Sequence, residues 1–162
     1  MTQHIDLVKA APLWPHGESA LMHLVRRAGQ YSTLCWSQSV DTGLSAVQYA
    51  ILVVLAEDGR CDQQTLGARA GFDKATGTYI IDRMRKNGLL NVDTDCANRR
   101  RKLVSMTPAG EAMLESMVEQ AKRAEKRITA SLDAQDIADL KHLLSKLSGV
   151  QGSDEPYFPP EK

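Results

Sequence analysis

Hydrophobic residues recur every three or four positions along most of this chain, which is the spacing of one face of an α-helix. The first such stripe predicts a helix over residues 19–36. A second stripe predicts a helix from Ala46 to Glu57, because Ser45 and Gln48 at its start are placed to form a capping box. These patterns predict a mainly helical protein.

Two further helices flank a tight turn in the middle of the chain. Asp62 is placed to cap the first and Asp73 to cap the second, since a carboxylate accepts well from the backbone N–H groups of a first helical turn. Gly71 and Phe72 separate the two helices, and a connection this short is typical of a helix-turn-helix. We expect Phe72 to pack between the helices and the second helix to end at Asn87.

Two short β-prone runs follow, at residues 90–95 and 101–106. The residues between them include Arg99 and Arg100, which predicts a hairpin with a basic tip. A helix that can lie in a DNA major groove, followed by a cationic hairpin, is the order of a winged helix-turn-helix, here predicted over residues 44–106. The alternative is a solvated charged helix followed by an ordinary surface hairpin, because basic runs are often only solvated faces.

The last part of the chain carries two long apolar stripes at helical spacing. Thr107 and Pro108 are a favourable N-cap and first helical residue for the helix with the first stripe. The second stripe contains Leu140, Leu144 and Leu147. The small winged module cannot cover stripes of this length, so we expect them to pair with a second copy of the chain.

The predicted organisation is therefore one domain over residues 1–162, the size of an ordinary single domain. Dimerisation helices are predicted at residues 19–41 and 107–149, on either side of the winged module. Residues 150–162 show no periodicity and are predicted to be a tail.

Charge is unevenly distributed along a chain whose formal net charge is zero. Between Arg60 and Met106, ten basic side chains stand against five acidic ones. A cationic module on an acidic support is typical of a DNA-binding protein that must also dissociate and search. A module whose basic helix binds an acidic protein partner is the rival explanation.

The stretch DKATGTYIIDRMRKNGLL at residues 73–90, with Asp95, the Arg99-Arg100 pair and MTPAG after it, resembles the core signature of MarR-type regulators, a family named for multiple antibiotic resistance. The resemblance implies a homodimeric, winged helix-turn-helix transcriptional regulator. Two residues depart from the family pattern: Asn98 stands where an Asp is usual, and Asp93 where a basic residue is common. We expect the first to remove an ion pair that braces the wing and the second to weaken phosphate binding.

The recognition helix and the wing supply the predicted contacts to double-stranded operator DNA. Thr78 and Tyr79 project from the side opposite the apolar stripe and are expected to meet base edges, with Lys74 or Arg83 on phosphate. The full set of candidate DNA-binding residues is Lys74, Ala75, Thr76, Thr78, Tyr79, Arg83, Arg99 and Arg100.

Candidate effector-binding residues lie on the first helix, which commonly lines the effector pocket of the family that the chain resembles. Arg26 and Arg27 could hold a carboxylate bidentately, with His23 and Tyr31 flanking a ring. Weaker candidates are the aromatic residues Trp14, His16, Trp36 and Tyr49. The predicted effector is a small anionic aromatic molecule that releases a repressor from a pseudo-palindromic operator. Arginines that are merely salt-bridged or solvated are the alternative.

Cys35, Cys61 and Cys96 are widely spaced and belong to no CxxC or Cys/His cluster, so neither a disulfide framework nor a zinc site is predicted, and no cofactor is expected. None of the three cysteines has an evident neighbour that would activate its thiol. Regulation through oxidation of a thiol is nevertheless kept as an alternative function. Enzyme motifs are absent from the sequence, which disfavours an enzyme acting on aromatic acids. Without a signal peptide or a long apolar run, the chain is predicted to be cytoplasmic and not to bind membranes.

Overall fold

Helices form most of the structure, a computed structural model that describes residues 20–148. The elements are α1 Ala20–Ser39, α2 Ala46–Asp58, β1 Cys61–Asp62, α3 Gln63–Ala70, α4 Lys74–Lys86, β2 Leu90–Thr94, β3 Lys102–Met106, α5 Pro108–Ile128 and α6 Ala134–Ser148. The mainly helical fold with a small β wing is confirmed. Trp14, His16 and the tail at 150–162 lie outside the described residues. None of the helices between residues 20 and 148 is long and apolar enough to cross a membrane.

Side-chain caps set the starts of the helices, as predicted. The Ser45 hydroxyl accepts from the backbone N–H of Gln48, and the Gln48 amide oxygen accepts from the backbone N–H of Ser45. The carboxylate of Asp73 accepts from the backbone N–H of Thr76 at 2.8 Å. Thr107 caps α5 in the same way. Each cap satisfies N–H groups that have no partner inside the helix.

Helix α2 is the centre of the hydrophobic core. Every residue from Gln48 to Leu55 is buried, and Ile51 and Leu52 are fully enclosed. α3, α5 and β3 pack around it. A helix that is covered on several sides is apolar around its whole circumference rather than along one stripe. The winged module is therefore built onto the same core as the longer helices.

The wing hairpin belongs to a three-stranded antiparallel sheet in the order β1-β3-β2. β3 pairs with β2 from Leu90↔Met106 to Thr94↔Lys102. β3 also pairs with β1, through Cys61↔Val104. The sequence predicted the hairpin but not β1, because two residues are too few to show alternation. The third strand ties the start of α3 directly to the wing.

Phe72 packs between α3 and α4, as predicted, and sets how closely the two helices approach. Gly71 ends α3 in the left-handed conformation at φ 78°, which glycine adopts without steric cost. A Cβ at Gly77 would collide with the Phe72 ring. Glycine at position 77 therefore leaves room for the ring beneath the recognition helix.

The two C-terminal helices differ in how their apolar stripes are covered. In α5, Leu114, Met117 and Ala121 belong to the core and pack within the chain, against α1 and α2. The expectation that this stripe pairs with a second copy is therefore wrong for its buried face. α6 has no buried residue, and Leu144 and Leu147 are 49% and 63% exposed.

Arg101 links the neck of the wing to the start of α3, and we call its two ion pairs the Arg101 brace. Its Nη2 donates to Asp62 Oδ2 at 2.6 Å, and its Nη1 lies 3.6 Å from Asp95 Oδ2. Asp62 also caps α3 by accepting from the backbone N–H groups of Gln64 and Thr65, at 3.0 Å each. The hydrogen bond from Arg101, followed by the cap, holds the pKa of Asp62 far below its ordinary value of 3.8.

The two roles of Asp62 can be separated by substitution. Asp62→Ala removes cap and ion pair and should lower the free energy of unfolding at pH 7 by about 1–2 kcal/mol. Asp62→Asn keeps a good cap and should cost less. Because the pKa of Asp62 is lowered in the folded state, its stabilisation is fully present above about pH 4 and is lost as the pH falls below that value.

Urea unfolding at pH 7, 4.5 and 3 checks both expectations. The loss of stability between pH 4.5 and pH 3 should be smaller in Asp62→Asn than in the wild type. Equal losses in the two proteins would show that the brace does not stabilise the fold.

Candidate DNA interface and ligand cavity

The recognition helix α4 keeps one face in the core and exposes the opposite one. Gly77, Ile81 and Met84 are buried. Tyr79 is 68% exposed, an unusual position for a large aromatic side chain on a packed helix. All the candidate DNA-binding residues of α4 are exposed: Lys74, Ala75, Thr76, Thr78, Tyr79 and Arg83. The structure therefore places the predicted residues on one accessible surface.

Two of the basic residues of α4 are ion-paired with a carboxylate and two are not, among the residues that the structure describes. Asp82 accepts from Lys86 at 2.6 Å and from Arg85 at 2.9 Å, and these hydrogen bonds lower its pKa. Arg83 and Lys74 form no ion pair with any residue between positions 20 and 148. The available charges of α4 are those that the sequence assigned to phosphate.

Thr78 and Gln63 connect α4 to α3 by a hydrogen bond between side chains. Gln63 Nε2 donates to Thr78 Oγ1 at 3.0 Å. The same hydroxyl donates to the carbonyl oxygen of Lys74, also at 3.0 Å. The side chain of Thr78 is thus exposed while its hydroxyl is bonded within the chain.

The wing tip presents two arginines without a carboxylate beside them. Arg99 and Arg100 are exposed, and neither is ion-paired within the part of the chain that the structure covers. Asn98 holds the turn by accepting from the backbone N–H of Arg100 at 3.1 Å and from that of Arg101 at 2.8 Å. A neutral amide therefore shapes the tip, and the Arg101 brace supplies the ionic support lower in the hairpin.

Asp93, the acidic departure on β2, is paired with a residue outside the hairpin. Arg60 Nη2 donates to Asp93 Oδ2 at 3.1 Å, and both side chains are about half exposed. Arg60 comes just before β1, so this contact also joins the outer strand of the wing to the rest of the sheet. The pair offsets the negative charge that Asp93 adds to this strand.

A cavity of about 250 Å³ lies between α1, α2 and α5. The rings of Trp36 and Tyr49 form part of its wall, with their centroids 5.5 Å apart. Glu125 is the charged residue among those lining it, and its Oε1 lies 3.5 Å from Lys141 Nζ. The lining residues are Ser32, Cys35, Trp36, Ala46, Tyr49, Ala121, Ala124, Glu125 and Ile128. The cavity has the size and aromatic lining for a single small ring.

The main predicted effector residues of α1, which are His23, Arg26, Arg27 and Tyr31, lie outside the lining of this cavity, whereas the weaker candidates Trp36 and Tyr49 are part of it. Arg26 Nη2 is 3.2 Å from His23 Nδ1, and Arg26 Nη1 donates to Gln30 at 3.3 Å. Tyr31 donates to the carbonyl oxygen of Arg127 at 3.4 Å. A hydrogen bond with the thiol of Cys35 is the main reason that the pKa of Tyr31 is raised. The predicted residues therefore form a separate surface next to the cavity.

Arg27 lies on the same side of α1 as Cys35, a residue of the cavity wall. Arg27, Tyr31 and Cys35 follow one another at intervals of four residues, so they share one side of α1. Arg27 is exposed and forms no ion pair among residues 20–148. These three residues form a row along α1 that runs from Arg27 to Cys35, and Cys35 lines the cavity. Sequence reasoning missed the wall residues of α5, such as Ala121 and Ala124, because small residues in an amphipathic helix carry no signal for a ligand.

The cysteines show no arrangement suited to metal or disulfide chemistry. All three are free, and the residues that the structure describes contain no cluster of three potential metal ligands. Cys35 and Cys61 are buried, and burial is the main reason that the pKa of the Cys61 thiol is raised. A raised pKa disfavours the reactive thiolate. Cys96 is exposed near the wing tip.

Comparison with known proteins agrees with this geometry. The MarR family model matches residues 44–102. The repressor NicR of Pseudomonas putida is 29% identical over 126 residues, which span 77% of this chain and 80% of NicR. A probable transcriptional regulator from Pseudomonas aeruginosa is 33% identical with a TM-score of 0.75, over 80% of this chain and 97% of that one.

A second solved structure is similar to the same degree. Bordetella bronchiseptica BpsR, whose DNA binding is regulated by 6-hydroxynicotinic acid, is 32% identical with a TM-score of 0.74, over 80% of this chain and 98% of BpsR. The alignments span 97% and 98% of the two solved structures and 80% of NicR, and the family model covers residues 44–102 of the winged module. The chain belongs to the MarR family of winged helix-turn-helix transcriptional regulators.

Proposed function

We propose that the protein is a cytoplasmic, homodimeric repressor that binds a pseudo-palindromic operator and is released by a small aromatic carboxylate. The observation that carries the proposal is the exposed face of α4 beside a wing tip whose arginines are free of ion pairs among residues 20–148. The Arg101 brace joins the wing to the start of α3, and α3 packs against the recognition helix α4, so helix and wing can engage DNA as one rigid unit. NicR, a similar protein, is a transcriptional repressor.

DNA contacts divide between base edges and phosphate. Tyr79, with its exposed ring, and Thr78 meet bases in the major groove. Lys74 and Arg83 contact phosphate at the edges of that groove. Arg99 and Arg100 reach the adjacent minor groove, whose negative potential attracts guanidinium groups.

Dimerisation uses the exposed leucines of α6. Leu140, Leu144 and Leu147 are 42%, 49% and 63% exposed in the single chain, and Leu143 beside them is 61% exposed. The first half of α1 is also apolar and exposed, at Leu21 among others. Contiguous apolar surface of this extent marks an interface. Two-fold symmetry then places operator half-sites about one helical turn apart.

The proposed effector combines the ring site with the free arginine of α1. BpsR responds to 6-hydroxynicotinic acid, a ring that carries a carboxyl group. In this chain, the Trp36 and Tyr49 rings offer an apolar site for such a ring. Glu125 repels a carboxylate at the cavity itself, so the anion must point towards Arg27. A ligand held in this way between α1 and α5 can change the separation of the two recognition helices in a dimer.

Tyr79→Ala tests base reading by α4. An operator is first selected from a random duplex pool with the wild-type protein, and binding is then titrated on that operator and on an unrelated duplex. We expect the variant to lose about tenfold or more on the operator and little on the unrelated duplex, because a base contact contributes sequence preference. Tyr79→Phe, which keeps the ring, is the matched control. Equal losses on both duplexes would rule out base contact by Tyr79.

Arg99→Ala tests the wing. The slope of log affinity against log salt should become shallower by about one unit for each subunit, since each arginine on phosphate displaces about one counterion. Arg123→Ala removes an exposed arginine of α5 and should leave the slope unchanged. The wing is not in contact with DNA if both variants keep the wild-type slope.

Leu144→Lys tests the dimer interface by placing an unpaired charge in it. We expect the dissociation constant of the dimer to rise by about 100-fold or more, measured by analytical ultracentrifugation. His142→Lys adds the same charge on another side of α6 and should leave the dimer intact. A stable Leu144→Lys dimer would place the interface elsewhere.

Arg27→Ala tests the effector site. With 6-hydroxynicotinic acid as the probe in calorimetry, binding should weaken by about tenfold or more, because the carboxylate loses a charge-assisted hydrogen bond. Arg26→Ala, the matched control, should cost less, since Arg26 is already bonded to His23 and Gln30. A larger loss of binding in Arg26→Ala than in Arg27→Ala would assign the carboxylate contact to Arg26 instead. If no aromatic acid binds the wild type, this effector class is excluded.

A further inference from the structure

Thr78 is an exposed residue of the recognition helix whose hydroxyl hydrogen is already in use. Its Oγ1 donates to the carbonyl oxygen of Lys74 at 3.0 Å. A threonine hydroxyl has one hydrogen to donate. The acceptors of a base edge, such as O6 or N7 of guanine, would therefore have to compete with the helix backbone for it. Donation from Thr78 to DNA is disfavoured by the native geometry.

Gln63 fixes the orientation of the Thr78 side chain from the neighbouring helix. Its Nε2 donates to Thr78 Oγ1 at 3.0 Å. Gln63 is the first residue of α3 and directly follows Asp62, which caps that helix and bonds Arg101. Gln63 therefore follows directly on a residue that is held by a helix cap and an ion pair. With Oγ1 held between two partners, the χ1 angle of Thr78 is set, and the part of this exposed residue that makes no hydrogen bond is its Cγ2 methyl group.

A second small apolar residue shares this part of the helix surface. Ala75 is exposed and precedes Thr78 by three residues, so the two side chains are neighbours on α4. Both residues carry a methyl group, and Tyr79, which follows Thr78 directly, is also exposed. In the major groove, the group that distinguishes thymine from the other bases by apolar contact is its 5-methyl group, and Ala and Thr methyl groups are its usual partners.

We propose that Thr78 determines operator specificity by packing its methyl group against the 5-methyl group of a thymine, with Gln63 as the positioning residue. This inference rests on the proposed function, since it requires α4 to lie in the major groove of a specific operator. It predicts one such thymine in each half-site of a symmetric operator.

The decisive experiment replaces each operator thymine in turn by deoxyuridine, which lacks the 5-methyl group. We expect one position in each half-site to be sensitive. Replacement at that position in one half-site should weaken wild-type binding about fourfold, which corresponds to the loss of one buried methyl group. Replacement in both half-sites should weaken it about fifteenfold. Thr78→Ser keeps the hydroxyl and loses the methyl group, so it should bind the thymine and deoxyuridine operators equally. Thr78→Val places methyl groups at both γ positions and has a narrow χ1 preference of its own in a helix, so it should still distinguish them without the bond from Gln63.

Gln63→Ala tests the positioning role by the same ratio of thymine to deoxyuridine affinity. We expect the ratio to fall towards one while the thermal midpoint of the variant stays close to that of the wild type, a pattern that a general loss of stability does not produce. An unchanged ratio would remove Gln63 from the proposal.

Three outcomes overturn the assignment to Thr78. Sequence-specific binding with no sensitivity to deoxyuridine at any position shows that no thymine methyl is read. Sensitivity that persists in Thr78→Ser assigns the methyl contact to another residue. Failure of the wild-type protein to select any sequence from the random pool overturns the proposed function, and this inference with it.

Discussion

The ion pair between Arg101 and Asp62 holds the wing to the helix-turn-helix, and the rest of the DNA-binding surface depends on it. Asp62 has a side-chain exposure of 17% and caps α3 as well as binding Arg101, so two elements share one carboxylate. Along the backbone, the link between the same elements is the short β1–β3 pairing. A surface that must fit the major and minor grooves at once requires this fixed relation between recognition helix and wing.

The distribution of charge suits a protein that binds DNA reversibly. Several basic side chains of the winged module are neutralised by carboxylates: Arg60 by Asp93, Arg85 and Lys86 by Asp82. Within the winged module, the cations without an ion pair to residues 20–148 include Lys74 and Arg83 on α4 and Arg99 and Arg100 at the wing tip. We expect affinity for phosphate to be concentrated on this surface of a chain whose formal net charge is zero. The proposed effector site differs, because it combines an apolar site for a ring with a cation, Arg27, further along α1.

Features set by neighbouring residues could be read from the sequence, and features that join distant residues could not. The caps at Ser45 and Asp73 act within one helical turn, so their sequence signals are sufficient. The pairing of Arg101 with Asp62 joins residues 39 positions apart and has no local signature. The same holds for the contact of Gln63 with Thr78 and for the cavity wall on α5. Local chemistry predicted the elements, while tertiary packing decided which polar groups remain available to DNA.

We propose that α4 and the wing form one DNA-binding surface, which a symmetric dimer presents twice. Hydroxyl-radical footprinting of the wild-type protein on its selected operator measures this most directly. The account predicts protection on one face of the duplex, in two equivalent patches related by a dyad and about one helical turn apart, each flanked by a protected stretch of minor groove. Protection of a single half-site, or a uniform footprint without a dyad, would contradict it.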